Sequence, residues 1–280
     1  MSDPPRSRET REFAEAALVR LVRAFGDTPE FVLLGGLVPD LLCTQTPRHH
    51  VGTTDVDVQV NLEIQSGAEN ARRLEEALEG SGFAPSVDYA WRWRHESSPG
   101  FVVKIEFLAD LNDVENRRTV TFKGCTSLGA ANLKGTGFAS QDWELRPIST
   151  VLEEELVTVE VRVATLPAYL LAKVHAAYDR SLGKDWYDIA YVLLNNDDGG
   201  SVRAAQRVRE RFSDELAGQT LTALDELLAN FADADAQGCA AYAQTVNGLY
   251  PDQDRALLEN DSIAAVAAFV NGLGVAPHAL

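Results

Sequence analysis

The segment "GTTDVDVQV", residues 52–60, holds two aspartates, Asp55 and Asp57, two positions apart in a run that alternates like a β-strand. In an extended strand residues i and i+2 point the same way, roughly 7 Å apart. Asp55 and Asp57 therefore converge on one face, and Val56, Val58 and Val60 point to the other. Two like charges so close repel unless something positive stands between them. Hard divalent cations take oxygen ligands, and Mg²⁺ is often held by one or two carboxylates plus substrate phosphates. The chemistry this pattern suits is metal-assisted phosphoryl transfer. A solvated edge strand is the plainer alternative.

Three further groups join the aspartates. Gly35 and Gly36 end the apolar run "FVLLGG" and precede "LVPDLLC", a short predicted helix with Pro39 in its first turn. Glycine lets backbone approach a ligand closely, and helix N-terminal amides favour phosphate. The run "FVVKIEFLA" alternates Val103, Ile105 and Phe107 with Lys104 and Glu106, so Glu106 is the candidate third acid for two-metal chemistry, with Asp110 a lesser one. In "LLAKVHAAYDRSLGKDWYDIAYVLL", residues 170–194, helical spacing aligns Lys173, Ala177 and Arg180, two cations suited to a triphosphate. Lys173 also borders an apolar stripe, where a lysine ordinarily snorkels to solvent. Lys184 and Asp188 are spaced for an ordinary i,i+4 pair.

These residues need elements to hold them. Residues 8–25 read as an amphipathic helix, 31–36 as a short strand, 55–62 as the strand bearing the aspartates, and "GAENARRLEEALEGSGF" as a helix with a glycine stop. Residues 88–95 and 101–109 flank "SSPG" and read as a hairpin; in its first arm, "WRWR" puts Trp91 and Trp93 on one face and Arg92 and Arg94 on the other. Alternating tryptophans can stack a base or fill a core. Residues 110–150 show no clear period, 155–164 alternate as a strand, and from 166 onward the pattern is helical. The expected class is α+β: a mixed sheet with flanking helices over residues 1–165, then a helical bundle over 166–280.

Composition narrows the partners. The 280 residues carry 42 acidic and 25 basic side chains, net charge −17, the opposite of the balance of a general nucleic-acid binder. No run approaches the ~20 apolar residues of a membrane span, and the first residues contain no apolar signal region. Cys43, Cys125 and Cys239 lie far apart without a CxxC, so reduced thiols and a cytoplasmic location are expected. His49-His50 sits in a polar stretch with no third ligand at metal spacing.

"LLGG…TTDVDVQV" resembles the first motif of the nucleotidyltransferase superfamily, and "LLAKVHAAYDRSLGKDWYDIAYVL" resembles the K…A…R…KD..D pattern of its AbiEii/MenT toxin branch. The resemblance implies a nucleotidyltransferase-like sheet and Mg²⁺-dependent transfer of an NMP from an NTP to an acceptor hydroxyl on RNA or protein, with a possible cognate antitoxin. It implies Asp55 and Asp57 as metal ligands, Gly35 and Gly36 as the phosphate cradle, Thr53 as the threonine preceding the DxD, Lys173 on the triphosphate, and Asp185 as the acid after the second-motif lysine. "HHVG" stands where a basic residue often precedes the threonine. Two other readings stay open: transfer to a cationic small molecule of antibiotic type, which the acidic charge suits, and a non-catalytic nucleotide- or partner-binding module.

Overall fold

A computed structural model describes residues 6–275, with every side chain but those of Leu62, Glu63 and Gln65. The chain forms two compact units. The first takes the residues up to Val38 and Gly52–Thr165; the second takes Pro39–Val51 and the residues from Leu166. The change at 165/166 is thus accompanied by an earlier excursion, which helical and strand periodicity does not mark. Its cause is polar anchoring. Asp197 accepts from the Thr44 amide and hydroxyl and the Gln45 amide, Arg48 bonds Gln253, and the Tyr191 hydroxyl donates to the Arg48 carbonyl.

In the first unit, α1 (Arg8–Phe25) begins at a Ser7 capping box and ends at Gly26 in the left-handed region, φ 93°. Its apolar stripe, including Ala14, Leu18, Leu21 and Phe25, is buried. Strands β1 (Val32–Leu34), β2 (Asp55–Gln59), β3 (Ala84–Pro85), β4 (Arg92–Ser98), β5 (Phe101–Ala109), β6 (Thr119–Thr121), β7 (Gly129–Asn132), β8 (Trp143–Leu152) and β9 (Glu155–Ala164) make one mixed sheet. Its order is β3-β4-β5-β2-β1-β9-β8, with β7 on β5 and β6 on β7. β2 runs parallel to β5 and antiparallel to β1, and the β4–β5 hairpin is antiparallel. Expected as a strand to residue 62, β2 stops at Gln59, and α3 (Asn61–Ser66) follows, then α4 (Ala68–Gly80).

The stretch without a clear period, 110–150, is ordered by side chains rather than by pattern. The buried Glu75 carboxylate of α4 accepts from the amides of Thr126, Ser127 and Leu128 at 2.6–3.0 Å. Asp110 accepts from the amides of Gly135 and Gly137, the latter opening α5 (Gly137–Gln141), and meets Lys134 at 3.2 Å. The buried Asn132 side chain accepts from the Leu111 amide and donates to the Val114 carbonyl. Asp110 is therefore engaged in holding this loop, not in a site with Glu106.

The second unit contains the short α2 (Val38–Leu42) from Pro39 on and six longer helices: α6 (Leu166–Arg180), α7 (Gly183–Asn195), α8 (Ser201–Phe212), α9 (Gln219–Ala229), α10 (Gln237–Leu249) and α11 (Arg255–Gly272). Trp186, Tyr187, Tyr242, Phe212 and Phe269 lie in its core, Tyr187 stacking on Tyr242 at 6.0 Å. No helix among the described residues is long and apolar enough to cross a membrane.

Glu75 offers a direct test of how the loop before β7 is held. Glu75→Ala leaves three amides without their acceptor and is expected to destabilise the protein by about 2 kcal/mol in chemical denaturation; Glu75→Gln, keeping one acceptor oxygen, is expected to lose less. Equal stability of all three proteins would show that water satisfies those amides.

Candidate active site

The carboxylate face is built by register. β2 places Asp55 opposite Lys104 and Asp57 opposite Glu106 on β5; β5 in turn places Lys104 opposite Arg94 and Glu106 opposite Arg92 on β4. Two rows of charge therefore cross three strands: Asp55–Lys104–Arg94 and Asp57–Glu106–Arg92. The other face of these strands carries Val56, Val58, Ile105, Phe107 and Trp93, all fully buried. Lys104 Nζ lies 3.9 Å from Asp55 Oδ1, and Arg92 Nε and Nη2 each reach Glu106 Oε1 at 2.7 Å. Sequence alternation had put Glu106 on the correct face, but Lys104, Arg92 and Arg94 gain meaning only from the strand register.

Glu106 is poised unusually. Burial, and then the Asp57 charge, push its carboxyl up to about 7, outweighing the opposing Arg92 guanidinium. Asp55 and Asp57 supply hard oxygen donors of the kind Mg²⁺ takes beside substrate phosphates. Glu106, expected as the third acid, has its Oε1 bonded by the Arg92 guanidinium. Among the described residues, no group of three or more His, Cys, Asp or Glu side chains is placed to hold a metal ion. The donor set fits a cation held by two aspartates and completed by the substrate's oxygens.

Gly35 and Gly36 border this face for a steric reason. Gly35 has φ 76°, and a Cβ there would overlap the Asp57 carboxylate; a Cβ on Gly36 would come within 2.7 Å of Thr53 Cβ. They lead into a three-residue 3₁₀ turn, Gly35–Leu37, and the five-residue α2, not into a long helix with a strong N-terminal dipole. Thr53 is buried; its hydroxyl donates to the Asp55 carbonyl at 3.0 Å and accepts from the Asp55 amide at 3.2 Å, fixing the start of β2.

In the second unit the K…R…KD..D residues form a buried ionic knot. Lys173 Nζ lies 3.3 Å from Asp185 Oδ1 and 2.7 Å from Asp188 Oδ2; Arg180 Nη2 meets Asp185 Oδ1 at 2.8 Å; His50 Nε2 meets Asp188 Oδ1 at 2.9 Å. Lys173 is 6% exposed and both aspartates 0%. The snorkelling lysine and the Lys184–Asp188 pair are thus both corrected: Lys184 is exposed, and Asp188 turns inward to Lys173. The signal was available in part, since two acids one turn apart opposite a lysine on an apolar helix call for mutual burial. His50 is held as well by Tyr187 and Tyr191, rings 5.2 and 5.1 Å away, and so belongs to this knot rather than to a metal pair with His49.

A cavity of about 550 Å³ opens on the α1 side of the sheet, lined by Glu12, Phe13, Arg20, His95, Ser149 and Leu156 among others. It contains none of the residues above.

A family model described as the nucleotidyl transferase AbiEii toxin of a type IV toxin–antitoxin system matches residues 137–267. Over that segment, just under half of the chain, the protein is similar to that family. The match spans α5, β8, β9, α6 to α10 and most of α11, with Lys173, Arg180 and Asp185, and begins after Asp55, Asp57 and Glu106. No curated protein and no solved structure matches the chain. The matched segment thus contains the ionic knot and leaves out the carboxylate face.

Two outcomes test this geometry. Lys173→Met leaves two buried aspartates short of a cation and is expected to destabilise the protein by about 3 kcal/mol, with part recovered in Lys173→Met/Asp188→Asn; an unchanged melting temperature would return Lys173 to the surface. For Glu106, a carboxyl raised in the folded state favours folding fully below its ordinary value of 4.5, and that contribution is lost as pH rises through about 7. Metal-free wild type is therefore expected to lose stability from about pH 5 to pH 8 more steeply than Glu106→Gln, as read by denaturation across that range. Parallel curves would show that Glu106 ionises normally.

Proposed function

We propose that the protein is a nucleotidyltransferase that moves an NMP from an NTP to an acceptor hydroxyl, with the chemistry at the Asp55/Asp57 face. The observation that carries this reading is the register that sets Asp57 beside Glu106, and Asp55 beside Lys104, on one polar sheet face. The AbiEii match supports the same reaction class. Mg²⁺ bound by Asp55 and Asp57 would supply charge neutralisation at the phosphoryl oxygens. Lys104 and Arg94, in the row of Asp55, balance charge developing on the leaving pyrophosphate. Glu106 accepts the proton of the attacking hydroxyl as its oxygen bonds to the α-phosphorus and the bond to pyrophosphate breaks. Its raised carboxyl suits that task near neutrality.

Gly35 and Gly36 keep the wall beside Asp57 bare, and Thr53 fixes the start of β2. Lys173 and Asp185 enter as positioning residues: Asp185 Oδ1 bridges Lys173 and Arg180, and Arg180, its side chain 38% exposed, is the cation of that group reaching solvent. In this reading the acceptor is RNA or protein, and the toxin–antitoxin family supports a cognate antitoxin. A cationic small-molecule acceptor is the second reading, favoured by the net charge of −17.

The test pairs binding with turnover. Asp55→Asn/Asp57→Asn is expected to abolish Mg²⁺-dependent NTP binding in calorimetry and pyrophosphate release, while the fold is kept because a repulsive pair is relieved. Undiminished Mg²⁺-dependent binding in the double variant would remove the aspartates from the site.

A further inference from the structure

The first arm of the β4–β5 hairpin divides its two tryptophans in a way alternation does not predict. Trp93 is fully buried against the core. Trp91 precedes the strand and leaves that face. It packs on Tyr89, ring centroids 4.9 Å apart, and the Arg92 guanidinium lies 5.0 Å from the Tyr89 ring centre and 4.7 Å from that of Trp91. Arg92 is the same residue that grips Glu106. Tyr89 stays 45% exposed and Trp91 half-buried, so neither ring is consumed by the core.

The backbone under this cluster is pinned. The Arg92 amide donates to the Tyr89 carbonyl at 3.1 Å, the Phe107 amide to the Trp91 carbonyl at 2.8 Å, and the Gly129 amide to the Ala90 carbonyl at 3.0 Å. The rings are thus preorganised at the end of the Asp57–Glu106–Arg92 row. Adjacent strands stand about 4.8 Å apart, so Asp57 and Arg92 are separated by roughly 10 Å of backbone. A nucleotide spans a comparable reach from phosphate to base. Aromatic faces joined to an arginine plane are what stacks bases regardless of sequence.

We propose that Tyr89, Trp91 and Arg92 form a nucleobase platform serving the carboxylate face, taking the base of the NTP or of a nucleic-acid acceptor. This rests on the reading of that face as a nucleotide site. Arg92 has two tasks in it: bonding Glu106 through its edge and backing the two rings with its plane.

The test uses the full chain with Mg²⁺ and measures affinity by calorimetry for each NTP, for inorganic tripolyphosphate, and for a short single-stranded RNA. Trp91→Ala, Tyr89→Ala and Trp91→Phe are compared with Trp143→Ala, which removes a ring stacked on Arg162 at 4.5 Å on β8, at the other end of the sheet. Trp91→Ala and Tyr89→Ala are each expected to weaken NTP roughly tenfold or more while leaving tripolyphosphate unchanged, with Trp91→Phe and Trp143→Ala close to wild type. The same loss for RNA but not for NTP assigns the platform to the acceptor's base and supports it equally. Two folding-competent variants make the result independent of either one's stability. NTP and RNA binding unchanged in both alanine variants, or an equal loss for tripolyphosphate, overturns the platform and leaves the nucleotidyltransferase reading intact. Wild type that binds neither NTP nor tripolyphosphate overturns that reading and the platform together.

Discussion

Three carboxylates on neighbouring strands of one sheet face are tolerated only if cations are placed among them, and this requirement is met by register. Asp55, Asp57 and Glu106 share the face with Lys104, Arg92 and Arg94, which places Lys104 opposite Asp55 and Arg92 opposite Glu106. The hydrophobic side enforces the arrangement. Val56, Val58, Ile105 and Phe107 are fully buried, and burying each such side chain contributes about 1.5–3 kcal/mol. A one-residue slip of β2 would carry Asp55 and Asp57 into that core and the valines out of it. The apolar packing thus holds the charges in place, and the balance remains incomplete: Glu106 keeps a proton to near neutrality even with Arg92 on it.

The helical unit meets the same requirement differently. Asp185 and Asp188 are wholly buried, where an unpaired charge is far more costly than on a sheet face. Three side chains meet them: Lys173 between the two, Arg180 on Asp185 and His50 on Asp188. Because His50 arrives on the segment Pro39–Val51, the knot also explains why that segment belongs with the helices. Such a cluster specifies one packing of α6 against α7, since any other leaves a buried ion alone.

What could be read from the sequence was what depends on a single element. The alternation of 55–60 and 101–109 put Asp55, Asp57 and Glu106 on the polar sides of their strands, and helical spacing aligned Lys173 with Arg180. What could not be read depends on a second element. Only the β2–β5 register brings Asp57 to Glu106, and only the burial of α7 turns Asp188 to Lys173. Residues 110–150 were opaque for a related reason. Their order comes from Glu75, Asp110 and Asn132 meeting backbone groups across many residues, which leaves no period behind. Trp91 failed the alternation rule because it lies just outside β4, where the turn from Tyr89 to Arg92 redirects it.

The overall charge is a poor guide to the site. A net −17 would repel a free nucleoside triphosphate, yet the sheet face is locally even, with three acids and three bases. Lys104 stands opposite Asp55 and Arg92 opposite Glu106, so in the proposed site a phosphate entering alone would draw a cation from a carboxylate and leave that carboxylate exposed to its neighbours. In the proposed reaction a phosphate arriving with its own divalent cation would impose no such exchange, because the aspartates would gain a partner as Lys104 and Arg94 meet the phosphate. In the proposed reaction the acid excess is therefore a filter against bare polyanions rather than an obstacle to nucleotide. In that reading a metal–nucleotide pair disturbs the face less than a bare polyanion would.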